Sequence, residues 1–252
     1  MPTRTRPSTL GIVMLSLLTL SLLGCATVPP SERNSRDPWQ RVNRGVYKFN
    51  DAVDRAVLKP VARTYIRVLP QVVRTGISNF FDNVTYPDVI VNALLQGQLK
   101  PFALDTGRFV VNSTLGIGGI LDPASRMGLT LEDRDFGQTV GKWGVPSGPY
   151  LVLPFLGPSD LRDGIGRIPD EYAEPWVYIQ NPYWDYGTLL VYEVSERAAI
   201  LPLTNTAEKS FDPYAFERNA YLQHRDFMVK GQKAQGGAEQ ELKELQQGGP
   251  PP

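Results

Sequence analysis

Residues able to make or break covalent bonds are few in this 252-residue chain, and they are scattered. His224 is the single histidine, so no imidazole cluster exists to hold zinc, and a serine nucleophile would have only this ring as its base. It sits among Tyr221, Arg225 and Asp226 on a predicted surface helix, and no Gly-x-Ser-x-Gly elbow is present to carry a nucleophile. The acid pairs Asp133 and Asp135, and Asp160 and Asp163, are the residue type needed for glycoside cleavage. Arg134 and Arg162 lie beside them and point to solvated or ion-paired surface instead. Gly116-Ile117-Gly118-Gly119 has the composition of a phosphate cradle but lacks both the G-x-G-x-x-G spacing and a preceding strand. A tight backbone bend explains it better. No catalytic residue, metal or cofactor is expected.

The remaining reactive group is the thiol of Cys25, the only cysteine. Arg4 and Arg6 precede an apolar segment from Leu10 to Leu23, which closes on the small residue Gly24. The segment is shorter than the roughly 20 residues of a membrane span and is broken by Ser16, Thr19 and Ser21, so it reads as an export signal. Leu22-Leu23-Gly24-Cys25 resembles the lipobox of bacterial lipoprotein precursors. That resemblance implies cleavage before Cys25, a diacylglycerol on its sulfur and a third acyl chain on the freed amine. One acyl chain holds a bilayer only marginally, at ~0.8 kcal/mol per buried CH₂, so two or three are needed for a durable anchor. By the same resemblance Ala26, standing where an aspartate favours inner-membrane retention, implies the outer membrane and a lipid-anchored protein on its periplasmic side.

Loss of residues 1–24 removes Arg4 and Arg6 and leaves the charge near neutral, which argues against a nucleic-acid partner. With Cys25 acylated no disulfide can form, so packing alone must hold the fold. Composition divides the rest. Residues 25–36 are mostly Thr, Pro, Ser, Asn and Arg with almost nothing apolar and read as a tether; residues 231–252 are mostly Gln, Glu, Lys, Gly and Pro, with leucine only at Leu242 and Leu245, and read as a disordered tail. Residues 37–230 form one expected domain.

Any site in that domain must be positioned by short helices that proline and glycine divide. Asp37-Pro38 is a predicted N-cap and first helical residue. Trp39, Val42, Val46, Phe49, Val53 and Val57 then recur at spacings of three and four, giving an amphipathic helix of about 20 residues that Pro60 is expected to stop. From the residues alone the apolar stripe suits a protein core better than a lipid face. Pro70, Pro87, Pro101 and Pro123 introduce or interrupt further helical stretches of roughly ten to fifteen residues, too short to cross a hydrocarbon core of ~30 Å. Near 136–155 a small hairpin is expected, with Thr139-Val140 pairing Leu151-Val152 across Val145-Pro146-Ser147-Gly148. Trp176, Tyr178, Tyr183, Trp184, Tyr186 and Tyr192 lead into a helix from about Pro182 to Ile200, and Asp212-Pro213 opens a last one. Those aromatics suit a core or a membrane interface equally.

Several of these blocks carry a resemblance. Asp37-Pro38, Asn43-Arg44, Phe49-Asn50, Leu58-Lys59-Pro60, Val91-Asn92-Ala93-Leu94-Leu95-Gln96-Gly97, Gly107-Arg108-Phe109, Asp135-Phe136-Gly137-Gln138-Thr139 and Gly157-Pro158-Ser159 keep the order seen in the VacJ/MlaA lipoproteins. The match runs from 37 to about 230 and departs mildly at Thr85-Tyr86-Pro87, where an acidic residue is expected before the proline. It implies a mainly α, ring-like single domain of amphipathic helices lying in one leaflet around a polar channel. It implies as partners phospholipid, the outer membrane, a trimeric porin and a soluble periplasmic phospholipid-binding protein. The implied function is extraction of mislocalised phospholipid from the outer leaflet and its transfer to that carrier. On this reading the stripe of the first helix faces lipid. Asp105, Arg108, Asn112 and Lys142, near the glycine-rich bends, are then the expected polar channel lining. A structural or assembly lipoprotein that moves no lipid is the alternative; it predicts a closed apolar core and no outward apolar belt.

Overall fold

The computed structural model describes residues 35–178 and 181–231. The expected signal segment, Cys25, most of the tether and the tail lie outside the described residues, as do the side chains of Trp176, Tyr183 and Trp184.

The first helix differs from expectation at both ends. α1 (Gln40–Val53) starts after Trp39 and has no side-chain cap. Asp37 does not cap it, because its carboxylate is buried and taken up by the Asn43 side chain and by Tyr214 near the other end of the chain. Pro60 does not stop it either. The chain widens into a π-helical segment, Asp54–Leu58, where the Lys59 N–H donates to the Asp54 carbonyl five residues back, and α2 (Lys59–Val68) follows directly. In a regular helix a proline ring strikes the carbonyl four residues back and has no N–H to donate; the wider turn relieves both problems.

Prolines likewise lie inside longer helices without cutting them. α3 (Gln71–Leu95) begins after Pro70 and runs through Pro87, and α8 (Pro182–Glu208) runs through Pro202. These helices exceed the expected ten to fifteen residues because packing on both sides of each proline offsets the one lost hydrogen bond. Even so, among the described residues no helix is long and apolar enough to cross a membrane. The other helices are α4 (Leu99–Thr114), α5 (Pro123–Arg126), α6 (Phe136–Lys142), α7 (Leu161–Ala173) and α9 (Pro213–Lys230). Asp122, Asp135, Asp160 and Asp212 cap α5, α6, α7 and α9, each carboxylate accepting a backbone N–H three residues on.

The hairpin lies further along the chain than the turn signals suggested. β1 (Tyr150–Leu153) pairs antiparallel with β2 (Gly157–Asp160), Tyr150 opposite Asp160 and Leu153 opposite Gly157. Thr139 and Val140 belong to α6 instead, since the Asp135 cap commits that stretch to helix.

Packing closes on itself. α2 lies on α8, α8 on α3, α3 on α6 and α7, α6 on α9, α9 on β2, and β1 on α1, which leads back to α2; α4 lies along α3 and carries α5. No large apolar core fills this circuit. Seven of the buried apolar residues form two small clusters, Tyr150, Val152, Tyr214 and Leu222 in one and Ala62, Ala198 and Leu201 in the other. Among the described residues nineteen polar or charged side chains are buried against twelve apolar ones, the reverse of an ordinary soluble domain.

The Gly116–Gly119 segment is a tight bend. Its amides are spent on backbone carbonyls, Gly118 on Ser113 at 3.0 Å and Gly119 on Asn112 at 2.9 Å, which leaves no cradle for an anion. Gly119 has φ +92°, and a Cβ there would meet Asn83 Cγ at 2.8 Å. Gly119→Ala should therefore cost about 1–3 kcal/mol. Gly45, in the middle of α1 with open space around it, should gain about 0.5–1 kcal/mol as alanine. Thermal unfolding followed by circular dichroism in detergent reads both, and the two shifts must have opposite signs.

Candidate functional site

The site grows from one face of α1. Asn43 and Asn50 are two helical turns apart, about 10.5 Å along the axis. Three strand residues span nearly the same length. Asn43 therefore meets β1 at one end, its Nδ2 donating to the Tyr150 carbonyl at 3.0 Å and its Oδ1 accepting from the Val152 N–H at 3.0 Å. Asn50 meets the other end, with Leu153 O at 2.9 Å and Phe155 N at 2.9 Å. Two side-chain amides thus complete the open edge of the strand. Gln40, Asn43, Tyr47, Asn50 and Asp54 form the inward stripe of the helix, and it is polar.

The apolar stripe faces outward. Trp39, Val42, Phe49 and Val57 are exposed, Val57 to 54%; Val46 and Val53 turn partly inward, Val46 against the Tyr150 cluster and Val53 towards a cavity. The same inversion recurs on α3, where Val72 is 83% exposed while Asn83 and Asn92 are buried. Between α3 and α8 an apolar groove of about 850 Å³ is lined by Val73, Ile77, Phe80 and Val191.

Buried charges are matched in three groups. Asp37 accepts from Asn43 Nδ2 at 2.8 Å, the Tyr214 hydroxyl at 2.5 Å and Arg218 at 3.1 Å, tying α1 to α9. Arg225 on α9 bridges Asp135 at 2.5 Å and Asp163 at 2.5 Å, and Arg162 reaches Asp163 at 2.9 Å. Of the acids singled out in the sequence, Asp135, Asp160 and Asp163 are ion-paired, and Asp160 and Asp163 are buried rather than solvated; Asp133 is exposed. The third group holds three of the four expected lining residues. Asp105, Arg108 and Asn112 share the buried face of α4. Asp105 receives Arg134 at 2.6 Å and the Tyr86 hydroxyl at 2.9 Å; Arg108 pairs with Asp122 at 2.8 Å, and Asn112 donates to the same carboxylate at 3.0 Å. The cleft beside Arg108 and Asn112 is about 10 Å³, enough for a water at most. Lys142 stands apart, exposed at the end of α6 with Nζ 2.7 Å from Gln96 Oε1.

A larger space opens where the polar stripe of α1 ends. A cavity of about 610 Å³, within the range of ligand sites, lies among α1, the π-helical segment, the β1–β2 turn, α8 and α9. Its lining mixes apolar residues, Val57, Phe155, Leu189, Leu190 and Ile200, with charged ones, Asp51, Asp54, Glu193, Arg197, Glu208 and Glu217. The sequence reading missed the charged part. Its signal was the spacing of Asn43, Asn50 and Asp54 on one helical face, and of Glu193 and Arg197 on another. His224 is exposed on α9, and among the described residues no group of three or more His, Cys, Asp and Glu side chains is arranged to hold a metal.

Asp88 on α3 and Asp170 on α7 form a carboxyl pair. Burial, then the charges of Asp170, Asp135 and Glu174, push Asp88 up to about 8; burial raises Asp170 to about 6 against the bond it accepts from the Phe136 N–H. The fold therefore keeps protons that the unfolded chain, with carboxyls near ~4, releases. Stability from this pair is fully present below pH ~4 and is lost as pH rises towards 8. Asp88→Asn should flatten the decline of Tm across that window; an unchanged slope would clear the pair of responsibility. Asp37→Ala, which strands Arg218, should cost about 3–5 kcal/mol in the same melts.

This geometry has counterparts. Residues 35–228 match the family model described as MlaA lipoprotein. The chain is 35% identical over 226 residues to the "Intermembrane phospholipid transport system lipoprotein MlaA" of Escherichia coli (strain K12), covering 88% of this chain and 90% of that protein. It is 33% identical over 231 residues to the protein of that name from Haemophilus influenzae (strain ATCC 51907 / DSM 11121 / KW20 / Rd), covering 88% and 91%. A solved structure reported as "Structural basis for maintenance of bacterial outer membrane lipid asymmetry" superposes with a TM-score of 0.68 at 34% identity, covering 78% of this chain and all of that one. With a polar interior, an apolar exterior and a family match across its whole folded region, the chain belongs to the MlaA lipoprotein family.

Proposed function

We propose that this protein is an outer-membrane lipoprotein of intermembrane phospholipid transport, anchored through acyl chains on Cys25. It takes phospholipids misplaced in the outer leaflet and passes them to a soluble periplasmic carrier. The observation that carries this reading is the inverted α1, whose inward stripe is Gln40, Asn43 and Asn50 while Trp39, Val42, Phe49 and Val57 face out. Water would reverse such a helix; hydrocarbon around the outside and polar groups within suit it. The names borne by the Escherichia coli and Haemophilus influenzae relatives support the same reading.

Moving a charged head group through hydrocarbon is expensive, so a protein speeds the step by offering polar groups along the way while the acyl tails stay in apolar surroundings. A lipid already misplaced runs downhill, and a carrier that keeps removing it sets the direction. Asp105, Arg108 and Asn112 serve here by fixing the 122–134 segment against α4; Lys142 is the member of the expected lining proposed to meet a head group, which its exposure supports. A trimeric porin seated on the outward apolar belt completes the proposed assembly.

The test is transfer in vitro, with the acylated protein in a bilayer, carrier in solution and labelled phospholipid measured on the carrier. Transfer that depends on the protein and falls several-fold with Lys142→Glu is expected. Absence of transfer would favour a structural lipoprotein. Arg108→Glu is a poor probe, because it strands Asp122 in a buried network.

A further inference from the structure

The 610 Å³ cavity has more negative charge than its partners neutralise. Asp51 pairs with Arg55, Asp54 with Arg197 through two bonds of 2.6 and 2.8 Å, and Glu208 with Lys59. Glu193 and Glu217 line the same space and make no ion pair with any described residue. Arg167 acts on Glu193 without an ion pair, and Glu217 faces the like charges of Asp51 and Asp54. Among them stand Leu190 and Ile200 on the same helix as Glu193, with Val57 and Phe155 also in the lining. A partly desolvated cavity that sets two unmatched carboxylates among hydrocarbon is complementary to one kind of amphiphile. That is an ammonium attached to a short polar linker and a greasy chain.

We propose that this cavity receives the head group of a phospholipid bearing a primary ammonium, with Glu193 and Glu217 as its acceptors and the apolar lining residues taking the upper acyl chain. Ethanolamine-type zwitterionic lipids are therefore preferred over anionic glycerol-type lipids. This rests on the phospholipid-handling reading above and adds the head-group class to it. Three features agree with it. The guanidinium of Arg197 is already engaged by Asp54 and so is not available to a lipid phosphate in the way an unpaired arginine would be. Partial desolvation in the cavity raises the Glu193 and Glu217 carboxyls, so an arriving ammonium, which favours their charged form, gains two charge-assisted bonds. The anionic lipid brings only a phosphate, which meets repulsion from the same carboxylates.

The experiment measures equilibrium binding of short-chain phosphatidylethanolamine and phosphatidylglycerol to the purified full-length protein in a non-ionic detergent, by titration calorimetry. The wild type should bind the ethanolamine lipid roughly tenfold more tightly, a difference of ~1.4 kcal/mol. Glu193→Gln/Glu217→Gln should bring the two affinities to within about twofold, and Glu193→Gln alone, at an exposed position where folding is not at stake, should remove about half of the free-energy preference. Glu171→Gln, the same charge change outside the cavity, should leave the ratio as it was. Equal affinities in the wild type, a preference for the glycerol lipid, or a ratio that survives the double variant would each overturn the proposal. Preference that disappears in the variant but no bilayer-to-carrier transfer would sink the transport reading and leave this one standing; transfer without preference would do the reverse.

Discussion

A charge taken out of water costs several kcal/mol unless a counter-charge and hydrogen bonds meet it in the same place. This fold buries Asp37, Asp105, Arg108, Asp160, Asp163, Arg218 and Arg225, so its stability depends on matching them. Several of the matches are long-range in sequence. Asp37 meets Arg218 and Tyr214, Arg225 meets Asp135 and Asp163, and Arg197 meets Asp54. Each joins elements that follow different parts of the circuit, and together they do the job that an apolar core does elsewhere.

With the interior committed to polar groups, the apolar residues have the outside. That exchange explains why the two clusters of buried apolar residues are so small, and why α1 and α3 each present valines and aromatics away from the protein. It also explains the prolines. A helix that must bend around a polar interior rather than pack straight on a greasy one benefits from π-widening at Asp54–Leu58 and from Pro87 and Pro202 inside α3 and α8. The cavity beside the π-helical segment falls where the polar stripe of α1 gives way to the apolar residues of α8, so its lining carries both kinds of residue.

Much of this was legible from residues alone. The 3–4 spacing from Trp39 to Val57 predicts the α1 stripe, Asp212-Pro213 announces α9 and its cap, and Gly116–Gly119 reads correctly as a bend. What was not legible depends on partners distant in the chain. Asp37-Pro38 has the local form of a cap, yet Tyr214 and Arg218, more than 170 residues away, claim the carboxylate. Pro60 is locally a stop, and only the widened turn before it lets the helix go on. Thr139-Val140 has strand-like residues, but the Asp135 cap and the close approach of Gly137 to Gly166 fix it as helix against α7. Burial of Asp105, Arg108 and Asn112 follows from their common helical face at spacings of three and four, which marks them as one group; whether such a face meets water or salt bridges is decided by the 122–134 segment that folds over it.

The outward valines and aromatics also set how the protein behaves out of lipid. Val72, Leu99, Ile117 and Leu203 are exposed, and surfaces of this kind associate with one another when left bare in water. The side chains that suit a hydrocarbon surround are thus the ones that make the isolated molecule prone to self-association, and a detergent micelle that covers them keeps single copies apart.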